Sequence, residues 1–410
     1  MIRLLDRAGL GATLLLPVFL LHGRGIAEAL VILVALAFVV RSAVARDWAW
    51  LRSGWVPFGL AWWLWLVACS APAGLVSLAQ AAGVARFLLL VAALENWTLR
   101  DPAPRLWLAR LLRWAALYLA LQSLLQFATG RNLFGQPRSA DGELTGPYQN
   151  PRAGAPLSRL LFPALLPVAG RWVAQPGWWP LAGAGLSLAG MATMVLIGQR
   201  MPLLLTLLGL FATALLLPRL RGVVLAMALG AGLLLAATSV LSPPAFYRLV
   251  TKFQVQMADF PDSHYGQIAA RSVNIGLAHP VTGTGFDGFR AQCSDPAYFG
   301  GWHGGDGGGA AMCVQHPHNF YMQAFVEGGF PGLLLFCALA LAWLRAAGRG
   351  LWSQPDPLRV GLFVAALIQL WPIASTTAFT SMPLSGWFFV LLGLGLAEAR
   401  AYMPGQRSPA

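Results

Sequence analysis

Long apolar runs separated by short polar connections dominate this chain. They fall near residues 8–22, 26–45, 55–72, 75–96, 106–128, 154–174, 179–198, 201–217, 222–241, 320–345, 358–379 and 383–400. A membrane-spanning helix needs about 20 mostly apolar residues, so the pattern predicts about twelve spans. Several are short or interrupted by Pro163, Pro167 or Pro372. The first run follows Arg3 and Arg7 and superficially resembles a secretory leader. Leu21-His22-Gly23-Arg24 supplies no small-residue cleavage site, so the run reads as the first membrane helix. One segment breaks the pattern: Ser242 to His318 is polar and holds most of the histidines. Its first half, Pro243 to His279, keeps helical spacing. Its second half is glycine-rich, with Gly304-Gly305-Asp306-Gly307-Gly308-Gly309, the composition of a turning loop. Long loops in compact proteins are often functional. The expected organisation is all-α and polytopic, with helices over residues 1–241, a loop domain over 242–319 and helices over 320–410.

Composition fixes the solvent. Of 410 residues 57% are hydrophobic and only 10% charged, against about 25% charged in a soluble domain. Lipid must be the main surroundings. The net charge of +13 comes from 28 basic residues, of which Lys252 is the single lysine. In a soluble protein such a balance would suggest nucleic acid. Here it is spread through short loops, as positive-inside topology requires. With the N-terminus in the cytoplasm, the inner segments hold fifteen arginines and the short outer loops five. Both termini then come out cytoplasmic, and Ser242 to His318 lies outside. The chain lacks a Gly-x4-Gly-Lys-Ser/Thr sequence, so nothing indicates a nucleotide-driven motor.

The outer face gathers the candidate chemistry. His318 lies in His316-Pro317-His318-Asn319-Phe320, where the polar loop meets the tenth apolar run. A neutral imidazole there can accept a proton near physiological pH, although capping a helix would explain it equally well. Arg200, in Gly198-Gln199-Arg200-Met201-Pro202, sits outside against both the cost of a charge near lipid and the orientation rule. An anionic partner would explain it; so would snorkelling to the interface. Arg271, in Ala269-Ala270-Arg271-Ser272, lies in the outer loop. Arg152 and Arg159 follow Gly146-Pro147-Tyr148-Gln149-Asn150-Pro151. The planar guanidinium fork suits phosphate, so several of these arginines together could hold a pyrophosphate. Glu327 enters the tenth run, where an ionisable group is a functional candidate, and Arg86 is its possible partner or a second anion contact. Cys293 and Cys313 are a candidate disulfide in the outer loop. His303, Asp306, His316 and His318 lie close together, but no paired carboxylate joins them, so ordinary loop polarity is the simpler reading and no metal or other cofactor is expected.

The stretch from Pro280 to Leu333 resembles the signature of the O-antigen ligase and polymerase superfamily. The matching pieces are His279-Pro280-Val281-Thr282-Gly283-Thr284-Gly285-Phe286, His318-Asn319-Phe320-Tyr321 and Glu327-Gly328-Gly329-Phe330-Pro331-Gly332. Arg200 fills the place of the arginine in the family's Ser-Arg-Gly-like step, with Gln199 where serine is common. Arg271 fills that of the arginine preceding Gly-x-Gly. The resemblance implies a GT-C-like enzyme of the bacterial inner membrane with its active site facing the periplasm. Such an enzyme moves O-antigen glycan from undecaprenyl pyrophosphate to a sugar of lipid A–core, completing lipopolysaccharide. Arg200 and Arg271 would contact the donor pyrophosphate, and His318 would activate or orient the acceptor hydroxyl, with Asn319 in support.

The chemistry agrees with that implication. A base of near-neutral pKa serves the hydroxyl nucleophile. Preorganised arginine serves the leaving group without calling on a metal. A single displacement would invert the anomeric centre. Within the superfamily an O-antigen polymerase shares the topology. A protein O-oligosaccharyltransferase usually carries an added C-terminal region, whereas this chain ends soon after its last run. A lipid-linked glycan transporter would place its charges at mid-membrane in repeats; no repeat is evident.

Overall fold

The structure, a computed structural model, describes residues 1–149 and 152–402. Asn150 and Pro151, named above, and Arg407, one of the arginines counted on the inner side, lie outside the described residues. The helices before the polar segment are α1 (Ile2–His22), α2 (Arg24–Ala45), α3 (Val56–Ser70), α4 (Leu75–Gly83), α5 (Ala85–Ala93), α6 (Pro102–Thr129), α7 (Gly154–Val173), α8 (Trp179–Ile197), α9 (Arg200–Leu216) and α10 (Arg221–Leu241). Within it lie α11 (Pro243–Phe246), α12 (Lys252–Ala258), α13 (His264–Ala278) and α14 (Gly288–Gln292). Then come α15 (Phe320–Ala347), α16 (Pro357–Gln369) and α17 (Leu384–Ala401). Among the described residues no strand forms.

Each of the twelve apolar runs contains a helix, but they are not equal. Among the described residues, eight stretches are long and apolar enough to cross a membrane: α1, α2, Leu75–Thr98, α6, α8, Pro218–Leu241, α15 and α17. The apolar helices α3, α9 and α16 are shorter. α7 carries Arg159, Arg171 and two internal prolines, and is buried along most of its length. The chain is an all-helical, multi-pass membrane protein. One expected span is corrected. The run 358–379 stops being helical at Gln369. Pro372 lacks an N–H donor, and Ser375-Thr376-Thr377 competes for backbone hydrogen bonds, so residues 370–383 form an irregular connection.

A helix that is apolar all round belongs in the core, and α17 fits that rule. Trp387, Phe388 and Phe389 are buried against Trp343 of α15 and Phe87 of α5, with Phe87 and Phe389 stacked at 4.7 Å. α10 is the opposite case, turning Leu225, Leu229, Leu233 and Val240 outward, as a lipid-facing helix would. Several charges within the bundle are paired, as a lipid solvent favours. Arg105 meets Glu398 at 3.0 Å, Arg41 meets Asp6 at 3.0 Å and Arg86 meets Glu28 at 2.5 Å. The expected pairing of Arg86 with Glu327 is therefore not made: its nearest carboxylate is on α2.

One end of the bundle collects the ends of α6, α8 and α16 with the starts of α7, α9 and α15. The segment 131–149 ties several of them together. Gln126 near the end of α6 accepts the Thr145 N–H at 2.8 Å, and the Leu144 N–H donates to the last carbonyl of α8, Ile197, at 3.1 Å. α13 packs on α15 at the same end.

Candidate functional site

The Thr-Gly-Thr-Gly stretch is a clasp, built so that two backbones touch. The Thr284 N–H donates to the Val326 carbonyl at 2.8 Å and the Gly285 N–H to that of Glu327 at 3.0 Å. A Cβ on Gly283, whose φ is +61°, would sit 2.5 Å from the Glu327 carbonyl carbon, so no other residue fits. α15 answers with its own break: Gly329 has φ 64° and ψ −161°, and the next N–H, of Phe330, turns to the Pro280 carbonyl at 2.8 Å. Trp65 of α3 donates to the freed Gly328 carbonyl at 2.8 Å. The glycines of the family-like signature thus dock the outer loop onto α15 rather than cradling a ligand.

That docking fixes where α15 begins. Asn319 caps it, its Oδ1 accepting from Tyr321 at 2.9 Å and Met322 at 3.1 Å. His318, just before the cap, has φ 56°, a left-handed conformation uncommon for a side chain this large. Its carbonyl accepts the Thr376 N–H at 2.6 Å, and its Nδ1 lies 3.2 Å from the Thr376 carbonyl oxygen. A carbonyl can only accept, so Nδ1 carries the proton and Nε2 keeps the lone pair, the tautomer being inferred from that partner. Burial holds the imidazole below its ordinary value of 6.5, partly opposed by the Thr376 carbonyl. His316 stands edge-on to it with ring centres 4.4 Å apart, and Tyr265 of α13 at 5.9 Å. Burial, reinforced by His318, pushes His316 down to about 4. Two neutral imidazoles are the stable state here.

The arginines expected on the donor divide sharply. Arg200 opens α9 half-buried, and Nη1 donates to Oε1 of Gln256 on α12. Among the described residues it makes no ion pair, and the charges of Arg248 and Glu143 reach it. Arg152 is engaged by Asp141 at 2.9 Å and Glu143 at 2.5 Å. Arg248 binds the same two carboxylates, closing a box of four charges. Glu143 within it is 3% exposed in its side chain. Arg159, 6% exposed, donates to Gln369 Oε1 at 2.6 Å, the Ala155 carbonyl at 2.5 Å and Thr376 Oγ1 at 3.4 Å.

Arg271, the other arginine expected on the donor, is enclosed by its own loop. At 1% exposure it lies inside the outer loop. Its guanidinium donates to the carbonyls of Cys293, Gly309 (2.9 Å) and Gly307 (3.4 Å), and it lies 4.3 Å from the Phe299 ring centre. Cys293 and Cys313 are joined, Cα atoms 5.2 Å apart, and brace the same loop. Glu327, 5% exposed, accepts from Gln323 at 3.0 Å and the Asp287 N–H at 3.2 Å, and faces a small cavity lined by Trp62, Leu66, Phe320, Phe336 and Phe379. Among the described residues no group of three His, Cys, Asp or Glu side chains could hold a metal ion.

Sequence reasoning missed Thr376, Tyr265, Gln256 and Arg248. For Thr376 a signal existed: Pro372 and the Ser-Thr-Thr that follows interrupt an apolar run. Arg248 carried none, being one arginine among many.

No curated protein matches the chain. A family model described as O-antigen ligase matches residues 184–337, a stretch that includes Arg200, Arg271, His318 and the first part of α15. The resemblance drawn from the sequence is thereby shown over residues 184–337, the part of the chain that is similar to the O-antigen ligase family.

Proposed function

We propose that this protein transfers a glycan from a polyprenyl pyrophosphate carrier to a hydroxyl of a lipid-borne acceptor, at the end of the bundle where the polar loop lies. One observation carries the reading: His318, its Nδ1 turned to the Thr376 carbonyl and its Nε2 without a hydrogen bond among the described residues, within the stretch that matches the O-antigen ligase model. The acceptor oxygen attacks the anomeric carbon as its proton passes to Nε2 of His318. The bond from that carbon to the phosphate oxygen breaks, and the anomeric centre inverts. The charge gathering on the leaving pyrophosphate is met by Arg200, whose side-chain partner is a neutral amide. Arg271 holds the loop, because loop carbonyls and an aromatic face already surround its guanidinium.

The donor we assign is undecaprenyl-pyrophosphate-linked O-antigen, and the acceptor is lipid A–core. The reaction is then periplasmic and independent of metal, in an inner-membrane protein with both termini in the cytoplasm. The deciding experiment reconstitutes the protein with a carrier-linked glycan and lipid A–core. Ligated product without nucleotide supports the reading. Growth of the glycan on its carrier would make the enzyme a polymerase, and no covalent product at all would favour a transporter.

A further inference from the structure

Residues 370–383 run from α16 to α17 and pass over His318 as a strap. Asn319 Nδ2 donates to the carbonyls of Pro372 at 2.7 Å and Ala374 at 3.2 Å. The Thr376 N–H meets the His318 carbonyl at 2.6 Å, and the Phe379 N–H meets Gln323 Oε1 at 3.0 Å. These contacts come from α15 and the residues just before it. One comes from elsewhere: Arg159 of α7 donates to Thr376 Oγ1 at 3.4 Å.

Arg159 is an odd residue to find here. It is 6% exposed and, among the described residues, has no carboxylate partner. Burying an unpaired guanidinium is costly, so its retention at this spot calls for a task. Its geometry supplies one. Nε reaches Gln369, the last residue of α16, while Nη2 reaches Thr376, seven residues on. A single planar group thereby bridges the start of the strap and the residue whose carbonyl faces the imidazole. A lysine, a point charge on a flexible stem, cannot span both acceptors.

We propose that Arg159 is a positioning residue for His318: by pinning Thr376 it holds the Thr376 carbonyl against Nδ1 and so keeps Nε2 turned to the acceptor. The inference rests on the glycosyl-transfer reading above and replaces a direct donor contact for Arg159. The ionisable groups facing His318 are His316 from the same segment and His264 and Tyr265 from α13. None of these is a carboxylate, so the carbonyl is what orients the ring.

The test uses the full chain in lipid, with carrier-pyrophosphate glycan and a lipid-borne acceptor, measuring kcat, donor KM and the pH profile. Arg159→Lys and Thr376→Val should each lower kcat about ten- to a hundredfold, the penalty for a displaced catalytic group. Donor KM should stay constant, and Thr376→Ser, which keeps the hydroxyl, should restore kcat. The acid limb of kcat should move to lower pH, because losing the carbonyl removes what favours the protonated ring. A rise in donor KM at constant kcat would overturn the proposal and return Arg159 to the pyrophosphate. Should the unaltered protein transfer no glycan, the reaction itself is misread, yet the contact remains testable. The His318 ring followed by NMR should then titrate at lower pH in Thr376→Val, and an unmoved titration overturns the positioning role.

Discussion

Two arginines with the same expected task ended in opposite surroundings. Arg271 lies within the loop, its donors engaged by three backbone carbonyls and its face against Phe299. Arg200 stands half-buried at the start of a helix with one amide oxygen for a partner. A helix start already favours negative charge, and an arginine with donors to spare adds to it. The lesson is that an arginine's role follows from how many of its N–H groups the protein itself occupies. Spacing along the chain does not reveal that number.

The comparison can be broken by mutation. The largest effect is expected at His318 rather than at either arginine. His318→Ala should cut kcat by about 10²–10⁴-fold, the usual worth of a general base, in a single-turnover transfer assay. Arg200→Ala should cost about 10²-fold in kcat, as removal of one preorganised donor to developing charge does. Arg271→Met should behave differently. It leaves three loop carbonyls without their donor, at about 1–3 kcal/mol each, and should expose the loop to limited proteolysis at a lower temperature. If Arg271→Met kept a protease-resistant loop and lost donor affinity instead, the contrast between the two arginines would collapse.

The smallest effect is a pH dependence. Burial keeps His318 below 6.5, so kcat should be flat above that value and fall only in more acid solution. His316, pushed down to about 4, contributes stability that is complete above the unfolded imidazole value. That stability is lost as pH falls through about 4. Thermal melts between pH 7 and pH 4 should show the loss, and His316→Gln should flatten it.

The fold was legible because lipid demands long apolar runs, and each run contains a helix. The polar segment stood out for the same reason. His318 and Arg200 were legible as polar residues placed where the pattern alone would not put them. What escaped was long-range. Thr376 sat inside a run counted as a span, and only its pairing with a residue 58 positions away made it part of the site. Arg271 matched a family position, yet its partners are backbone carbonyls, which no side-chain pattern encodes. The box of Arg152, Arg248, Asp141 and Glu143 joins three separate segments by charge pairs that the sequence leaves unspecified.

The break at Gly329 has a mechanical meaning. It makes α15 a pivot with two arms. The long arm, beyond Gly329, belongs to the lipid-embedded bundle. The short arm, Phe320 to Gly328, is gripped by Trp65 and by the glycine clasp, and carries His318 at its tip. Strain applied to the long arm by a thicker or thinner bilayer is then absorbed at the pivot before it reaches the imidazole. Spin labels on the two arms should report this as independent motion, the long arm tilting with bilayer thickness while the short arm stays registered to the outer loop.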